Sequence, residues 1–236
     1  MATAARSVKP IEYPESDGKP MAENTRQFDW IVKLKENIDA MLPDFVAGDL
    51  FWYPVEGHPE IVYAPDVLVA FGRPKGPRRS YRQWEEGGVA PQVVMEVWAP
   101  SNRAQEKERK LKFYEQYGVE EYYTFDPENL ALAVYVRRGN RLEEVTPAYG
   151  WVSPLLGIRF ERGLEDMEVY LHDGRPFLSM AETLQAAEKE KQRAEQEKQR
   201  AEQERHRAEQ EKHRADLAEA QLAALRLQLA ARGISL

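Results

Sequence analysis

Cysteine is absent from the 236-residue sequence, and its absence excludes several kinds of site. Without cysteine the chain can form no disulfide, no thiolate nucleophile and no cysteine-ligated zinc centre. The sequence also lacks any run of about 18 consecutive apolar residues, which a membrane-spanning helix requires. The first twenty residues contain no apolar segment behind a basic start, so we expect no secretory signal. These absences fit a reducing compartment, and we expect a cytoplasmic protein without membrane spans.

Histidine is scarce as well, with four residues in the whole chain. His206 and His213 lie in a repetitive C-terminal segment, whereas His58 and His172 stand alone. No cluster therefore supports a histidine-based metal site or a Ser-His-Asp triad.

A surplus of basic residues is also lacking. The net charge is −7, from 33 Lys and Arg against 40 Asp and Glu. Residues 181–236 contain 11 of each sign, so the preceding 180 residues carry the whole negative charge. An acidic domain is a poor non-specific binder of phosphates. This balance counts against a nucleic-acid substrate unless a bound cation or a local basic surface offsets it.

The apolar pattern predicts an α/β domain over 24–180, preceded by a loosely ordered polar arm at 1–23. Apolar residues recurring every three or four positions predict a helix over 24–42, ended by Pro43. A second helix is predicted from Ser101 or Asn102, either of which could cap it, to Gly118. Strands are predicted near 49–53, 61–71, 92–98, 121–125, 131–137 and 141–145, with a final hairpin over 158–171.

Residues 181–236 consist of seven-residue units that repeat almost verbatim. One slot of the unit holds alanine and then, toward the end, leucine at 222 and 229, while most of the matching d positions hold glutamate. The segment could be a solvated single helix supported by charge pairs three and four residues apart. Alternatively, it could be a coiled coil sealed at its leucine-rich end. Because leucines at 222, 225 and 229 form a stripe that needs a partner, we predict a homo-oligomer assembled through this helix.

Two acidic residues interrupt apolar segments of strand length. Asp66 lies within 61–70 and Glu96 within 93–98. A carboxylate buried there without a partner costs several kcal/mol, so it needs a cation or strong donors. Two such groups on neighbouring strands would offer the hard oxygen ligands that Mg²⁺ or Mn²⁺ accepts. Lys110, on the following helix, could orient a water or stabilise charge on a phosphoryl group.

A loop over 72–88 is dense in glycine, proline and arginine, with Tyr81 and Trp84 interleaved. Its cations could follow a DNA backbone while the aromatic rings stack on bases. The alternative is an ordinary solvated loop. The candidate DNA-binding residues are Arg73, Lys75, Arg78, Arg79 and Arg82.

The chain resembles the Uma-two-type family of restriction endonucleases, which belongs to the PD-(D/E)XK nuclease superfamily. The resemblance implies a restriction-endonuclease-like mixed sheet flanked by helices. It also implies a Mg²⁺-dependent site that cuts phosphodiester bonds in DNA, with Asp66 and Glu96 as metal ligands. The blocks that carry the resemblance are Ala64–Val69, Val94–Asn102, Lys110–Tyr114, Gly118–Tyr122 and Phe125–Pro127.

The superfamily lysine normally stands two residues after the glutamate, where this chain has Trp98. The resemblance implies that Lys110 replaces it, with Glu106 as its acidic partner four positions earlier. Asp49 is a further candidate for an auxiliary ligand, although it could equally accept a hydrogen bond at the start of a strand.

Two other functions stay open at this point. The interrupted motif allows a degenerate nuclease fold that binds nucleic acid or protein without cutting. The repetitive tail allows an oligomeric scaffold in which the helix is the working part and the α/β domain only its head.

Overall fold

The computed structural model describes residues 11–18 and 20–231, apart from the side chains of residues 225 and 228–230. It consists of a compact α/β unit that ends at Ser179 and a second unit that starts at Met180. The first unit contains helices α1 (Thr25–Met41) and α2 (Ala104–Gln116), and the second contains α3 (Met180–Ala231). The strands are β1 (Asp44–Ala47), β2 (Trp52–Tyr53), β3 (Val67–Pro74), β4 (Tyr81–Arg82), β5 (Val93–Val97), β6 (Glu121–Asp126), β7 (Ala131–Arg138), β8 (Arg141–Val145), β9 (Arg159–Arg162) and β10 (Met167–Tyr170).

Six strands form one mixed sheet in the order β1-β3-β5-β6-β7-β8. Only β5 and β6 run parallel, because α2 connects them as a crossover; the other neighbours are antiparallel. Strands β2 and β4 form a short parallel pair, and β9 and β10 form an antiparallel hairpin. The mixed sheet with flanking helices and a long C-terminal helix confirms the predicted fold class.

The two faces of the sheet bury separate cores. On one face, α1 packs its buried Ile31, Leu34 and Ile38 against alternate residues of β3 and β5. On the other face, α2 packs Tyr114 among the remaining residues of the same strands. Successive strand residues point to opposite faces of the sheet, so the position of a residue along β3 or β5 decides whether its side chain faces α1 or α2.

Three local predictions were wrong. The strand expected over 61–71 begins only at Val67, because Pro65 has no N–H to give to a ladder. The strand expected over 49–53 is reduced to β2, because Asp49 has a φ of +48°, outside the extended region. Neither expected residue caps α2: Arg103 holds the N-cap position without a side-chain hydrogen bond, and Asn102 instead accepts one from the Ala99 N–H at 2.7 Å.

The C-terminal segment is helical over 52 residues, as predicted. Every side chain of α3 that the structure describes is exposed, and glutamine–glutamate hydrogen bonds link successive turns, as between Gln192 and Glu188 at 3.1 Å. Self-association of this helix stays a prediction. No helix in the described ranges combines the length and the apolar character needed to span a membrane.

Candidate active site

The register of β3 against β5 brings the two candidate acids together. Val67 pairs with Met95, so continuing the antiparallel register by one position puts Asp66 opposite Glu96. Opposed residues of an antiparallel pair point to the same face. That face is the one covered by α2, since Leu68 and Val94 belong to its core.

Glu96 is almost completely enclosed, with 1% of its surface exposed. Lys110 donates from Nζ to its Oε2 at 2.7 Å, and the Tyr114 hydroxyl donates to its Oε1 at 2.5 Å. Lys110 and Tyr114 are four residues apart on α2, so both side chains project from the same side of the helix. The helix therefore presents a cation and a hydroxyl to one strand carboxylate.

Asp66 is held from the backbone of the neighbouring strand. The Val97 N–H donates to its Oδ2 at 2.6 Å, while no donor among the described residues reaches its Oδ1. Burial raises the pKa of Asp66 well above its usual value, and the Glu96 carboxylate raises it further. Lys110 and the Val97 N–H oppose that rise without cancelling it. The nearby positive charge is thus too small to neutralise both Asp66 and Glu96.

The ammonium of Lys110 responds to the same two acids. Burial alone would lower the pKa of Lys110, but the Glu96 and Asp66 carboxylates outweigh burial and raise it above the usual value. The group is therefore a permanent cation at neutral pH. One ammonium faces two carboxylates, which leaves a formal deficit of one positive charge in the buried cluster.

The cluster forms part of the wall of a cleft of about 550 Å³. Asp66 and Lys110 line the cleft, whereas Glu96 lies behind them and reaches it only through its partners. Four further acids also line it, Asp17, Glu23, Asp49 and Glu106, and the last two are the auxiliary acids named from the sequence. The rest of the wall comes from the loop around Tyr63, from the start of α1 and from residues of the N-terminal arm.

Trp98, at the position of the superfamily lysine, is buried. The Lys110 ammonium lies 5.1 Å from the centroid of the Trp98 indole, within the range of a cation–π contact. Lys110 therefore extends from α2 to lie beside Trp98, the residue that interrupts the superfamily motif.

The two auxiliary acids differ in how they are held. Burial raises the pKa of Asp49, the carboxylates of Asp17 and Glu96 add to the rise, and Lys110 opposes it. Glu106 accepts a weak hydrogen bond from Asn102 at 3.3 Å. Asp49 lies in the connection between β1 and β2, and Glu106 lies in the first turn of α2.

None of the five cations of the basic loop is among the residues that line this cleft. Lys75 is nine positions from Asp66, roughly 30 Å along an extended strand. Each cation already has an acceptor within the chain, so the loop presents less free positive charge than its sequence suggests. The contacts are Lys75 to Asp39 at 2.7 Å, Arg78 to Glu86 at 2.6 Å, Arg79 to Glu15 at 2.6 Å, Arg82 to Glu85 at 3.2 Å, and Arg73 to the Glu86 carbonyl at 3.1 Å.

Two site residues were not singled out from the sequence. Tyr114 is the second donor to Glu96, and its place four residues after Lys110 was the available signal. Gln27 of α1 donates to the Val97 carbonyl at 2.7 Å and lines the cleft. A glutamine in the first turn of an amphipathic helix does not by itself predict such a contact.

In the ranges that the structure describes, no three Asp, Glu or His side chains are gathered closely enough to hold a metal ion by themselves. The donors that could serve are the open Oδ1 of Asp66 and the second lone pairs of the Glu96 oxygens. Two carboxylates completed by water suit Mg²⁺, which usually keeps several waters and takes one or two protein carboxylates. The residues present therefore fit a hydrated divalent cation.

Comparison with known proteins identifies the family. A solved structure similar to this chain is a "putative nuclease belonging to DUF820" from Anabaena variabilis ATCC 29413, with 14% sequence identity and a TM-score of 0.42, covering 62% of this chain and 87% of the other. Among curated proteins, none matches. The model of the Uma2 family, described as "Putative restriction endonuclease", matches residues 18–165. Because that match covers more than half of the sequence, the chain belongs to the Uma2 family of restriction-endonuclease-like proteins.

Proposed function

We propose that this protein is a divalent-metal-dependent endonuclease that hydrolyses phosphodiester bonds in DNA. The observation that carries the proposal is that Asp66, directly before β3, Glu96 of β5 and Lys110 of α2 meet at one cleft. Asp66 and Lys110 line the cleft, and Glu96 lies behind them. Membership of a restriction-endonuclease-like family supports the reaction class. Mg²⁺ or Mn²⁺ is the proposed cofactor, and Asp66 and Glu96 are its proposed ligands.

We propose a different task for each side chain. Asp66 offers an oxygen to the cleft while its other oxygen is tied to the backbone of β5. Lys110 gives one of its three N–H donors to Glu96, which leaves donors for a water or a non-bridging phosphate oxygen. Tyr114 fixes Glu96 from the side away from the cleft, since burial and the adjacent Glu96 carboxylate keep the Tyr114 pKa well above its usual value and its hydroxyl protonated.

The overall reaction adds water across the phosphodiester and breaks one P–O ester bond, with the proton of the water going to the leaving oxygen. A bound divalent cation would lower the pKa of its water and neutralise charge on the phosphoryl group. Lys110 would add a fixed positive charge on the same side of the phosphate. The acidic surroundings make the cation necessary, because a phosphate would otherwise approach two carboxylates with a single ammonium between them.

Calorimetric titration with Mn²⁺ tests the cofactor assignment directly. We expect wild-type protein to bind the ion and Asp66→Asn to bind it at least about 10-fold more weakly, since even changes around a ligand cost that much. Asp39→Asn is the matched control, because Asp39 lies near the far end of α1 and pairs with Lys35 and Lys75. Equal Mn²⁺ affinity in wild type and Asp66→Asn would remove Asp66 from the ligand set.

A second function, a nuclease fold that binds without cutting, is favoured by two observations. Both oxygens of Glu96 already accept hydrogen bonds from the chain, and Trp98 stands where the superfamily lysine would be. In that case the Lys110–Glu96 pair would be a structural ion pair. Wild-type protein that gives no heat with Mn²⁺ would support this function over hydrolysis.

We further propose that α3 assembles the protein into a homo-oligomer. Leu222, 52% exposed, lies on the stripe where leucine replaces alanine in the repeat, whereas Leu217, 50% exposed, lies off it. We expect Leu222→Glu to raise the concentration at which the oligomer dissociates, measured by light scattering, and Leu217→Glu to leave it unchanged. An oligomer that survives deletion of residues 181–236 would show that the helix does not assemble it.

A further inference from the structure

The N-terminal arm, although free of helix and strand over its described residues, is docked on the domain through residues 13–15. The Tyr13 ring lies 5.1 Å from the Tyr53 ring and 5.1 Å from the Trp84 ring. The guanidinium of Arg82 lies 5.0 Å from the Tyr13 centroid. Two residues later, Glu15 pairs with Arg79 at 2.6 Å.

These contacts have the chemistry of a nucleotide bound to protein. Single-stranded nucleic acid is held by aromatic rings that stack on bases and by arginines that either stack on a base or donate hydrogen bonds to a phosphate. Here the Tyr13 ring lies between Tyr53, Trp84 and Arg82, edge-on to the Tyr53 ring at 75° and tilted by 48° from the Trp84 ring, and so fills a space that a base could occupy. The Glu15 carboxylate takes the position of a phosphate on Arg79.

The arm does not pair with every hydrogen-bond donor of the patch beneath it. Among the described residues, no acceptor pairs with the buried Nε of Arg82, although its Nη1 lies 3.2 Å from Glu85. The Arg79 side chain is 85% exposed, and Glu15 is its one ion-pair partner among the described residues. A phosphate, which has more acceptor oxygens than a carboxylate, could replace Glu15 on Arg79. The neighbouring Tyr81 takes no part, because it is buried and its hydroxyl donates to the Val89 carbonyl.

The patch is continuous with the cleft that holds the candidate active site. The Tyr53 hydroxyl donates to the Pro14 carbonyl at 2.5 Å, and Tyr53 and Pro14 both line the cleft. Asp17, further along the arm, lines the same cleft as Asp66 and Lys110. The arm therefore follows a path from the Arg79–Arg82 patch to the acidic cluster.

We propose that Tyr53, Arg79, Arg82 and Trp84 form a subsite for one nucleotide of a single-stranded polynucleotide, which the arm occupies through Tyr13 and Glu15 and must leave before a strand can bind. This inference rests on the proposed function in one respect, that the strand continues into the same cleft. The arm competes with the strand for one surface, so weakening the arm strengthens binding of the strand.

The test measures binding in EDTA of a fluorescein-labelled oligo(dT) of about 12 nucleotides, within the usual span of such sites. The double variant Tyr13→Ala, Glu15→Gln releases the arm. Its matched control is Ile11→Ala, Glu12→Gln, which removes the same charge and one apolar side chain from exposed neighbouring positions. We expect the arm variant to bind about 10-fold more tightly than wild type, or about 1.4 kcal/mol, and the control to bind like wild type. Adding Arg79→Ala to the arm variant should abolish the gain.

Hydrogen exchange supplies a readout that does not depend on affinity. The Gly57 N–H donates to the Tyr13 hydroxyl at 2.6 Å, so release of the arm by the oligonucleotide should accelerate exchange of that amide in wild-type protein. Equal affinity of wild type, arm variant and control would overturn the inference, as would a Gly57 amide that stays protected at saturating oligonucleotide. Because EDTA removes divalent metal from the assay, a gain in affinity without any metal-dependent cleavage would leave the subsite standing and sink only the proposed hydrolysis.

Discussion

Asp66→Asn should eliminate metal-dependent cleavage of DNA and leave the fold unchanged. Asparagine keeps an oxygen that can accept the Val97 N–H, so the link between β3 and β5 survives. It loses the negative charge through which Asp66 would hold the cation. A cation contributes several kcal/mol of transition-state stabilisation, and its loss corresponds to at least about 10³-fold in rate.

The same substitution should not lower the free energy of unfolding. Asp66 is buried beside a second carboxylate, and the folded state disfavours its charge, as the raised pKa shows. Removing a charge from such a place is neutral or stabilising. A variant that is inactive and at least as stable as wild type would mark Asp66 as a residue kept for chemistry, at the expense of stability.

Cleavage is measured on plasmid DNA with Mg²⁺ or Mn²⁺, and unfolding is measured thermally on the same preparations. Asp39→Asn again serves as the control, because it removes an aspartate that is paired rather than short of positive charge. It should keep full cleavage activity. Cleavage by Asp66→Asn at the wild-type rate would contradict the assignment of Asp66.

The elements that periodicity describes were predictable, and so was the meeting of the two acids. α1 follows from its apolar spacing, and the structure adds a cap at Asn24, whose Oδ1 accepts from the Gln27 N–H at 2.8 Å. The approach of Asp66 to Glu96 was expected because both interrupt apolar segments of strand length, which belong in the interior of a sheet and can be neighbours there. Only the register of β3 on β5, which no short-range pattern contains, decided that both side chains face α2.

The parts that could not be predicted depend on long-range contacts. The residues around Trp98 do not by themselves indicate that a lysine twelve residues later would place its charge beside it, and only the family resemblance pointed to Lys110. The basic loop suggested free cations, but their acceptors lie on α1, on the arm and within the loop itself. The arm has no periodicity, so its docking through Tyr13 and Glu15 left no local signal.

Lys110→Met should destabilise the protein strongly, because it leaves the Glu96 carboxylate buried with only the Tyr114 hydroxyl as a side-chain donor. Breaking one half of a buried ion pair costs about 3–5 kcal/mol. For a domain of this size we expect the melting temperature to fall by roughly 10 °C. Methionine keeps the length and apolar stem of lysine, so lost packing contributes little.

The double variant Glu96→Gln, Lys110→Met separates the structural contribution of the pair from its chemical one. The double variant contains neither the Glu96 carboxylate nor the Lys110 ammonium, so neither member of the pair is left as an unpaired buried charge. The glutamine that replaces Glu96 can still accept from Tyr114, so most of the lost stability should return. A positive coupling of about 2 kcal/mol or more is within the range for contacting residues. Cleavage should stay absent in both variants, because the double variant lacks a proposed ligand and the proposed phosphate-binding cation.

The two measurements together decide between a catalytic pair and a structural one. Restored stability without restored cleavage is the result expected of an active site. Two outcomes contradict the account: a Lys110→Met variant as stable as wild type, which would mean that the ion pair contributes nothing, or a double variant that still cuts DNA. In the second case the chemistry would have to reside outside the Asp66–Glu96–Lys110 cluster.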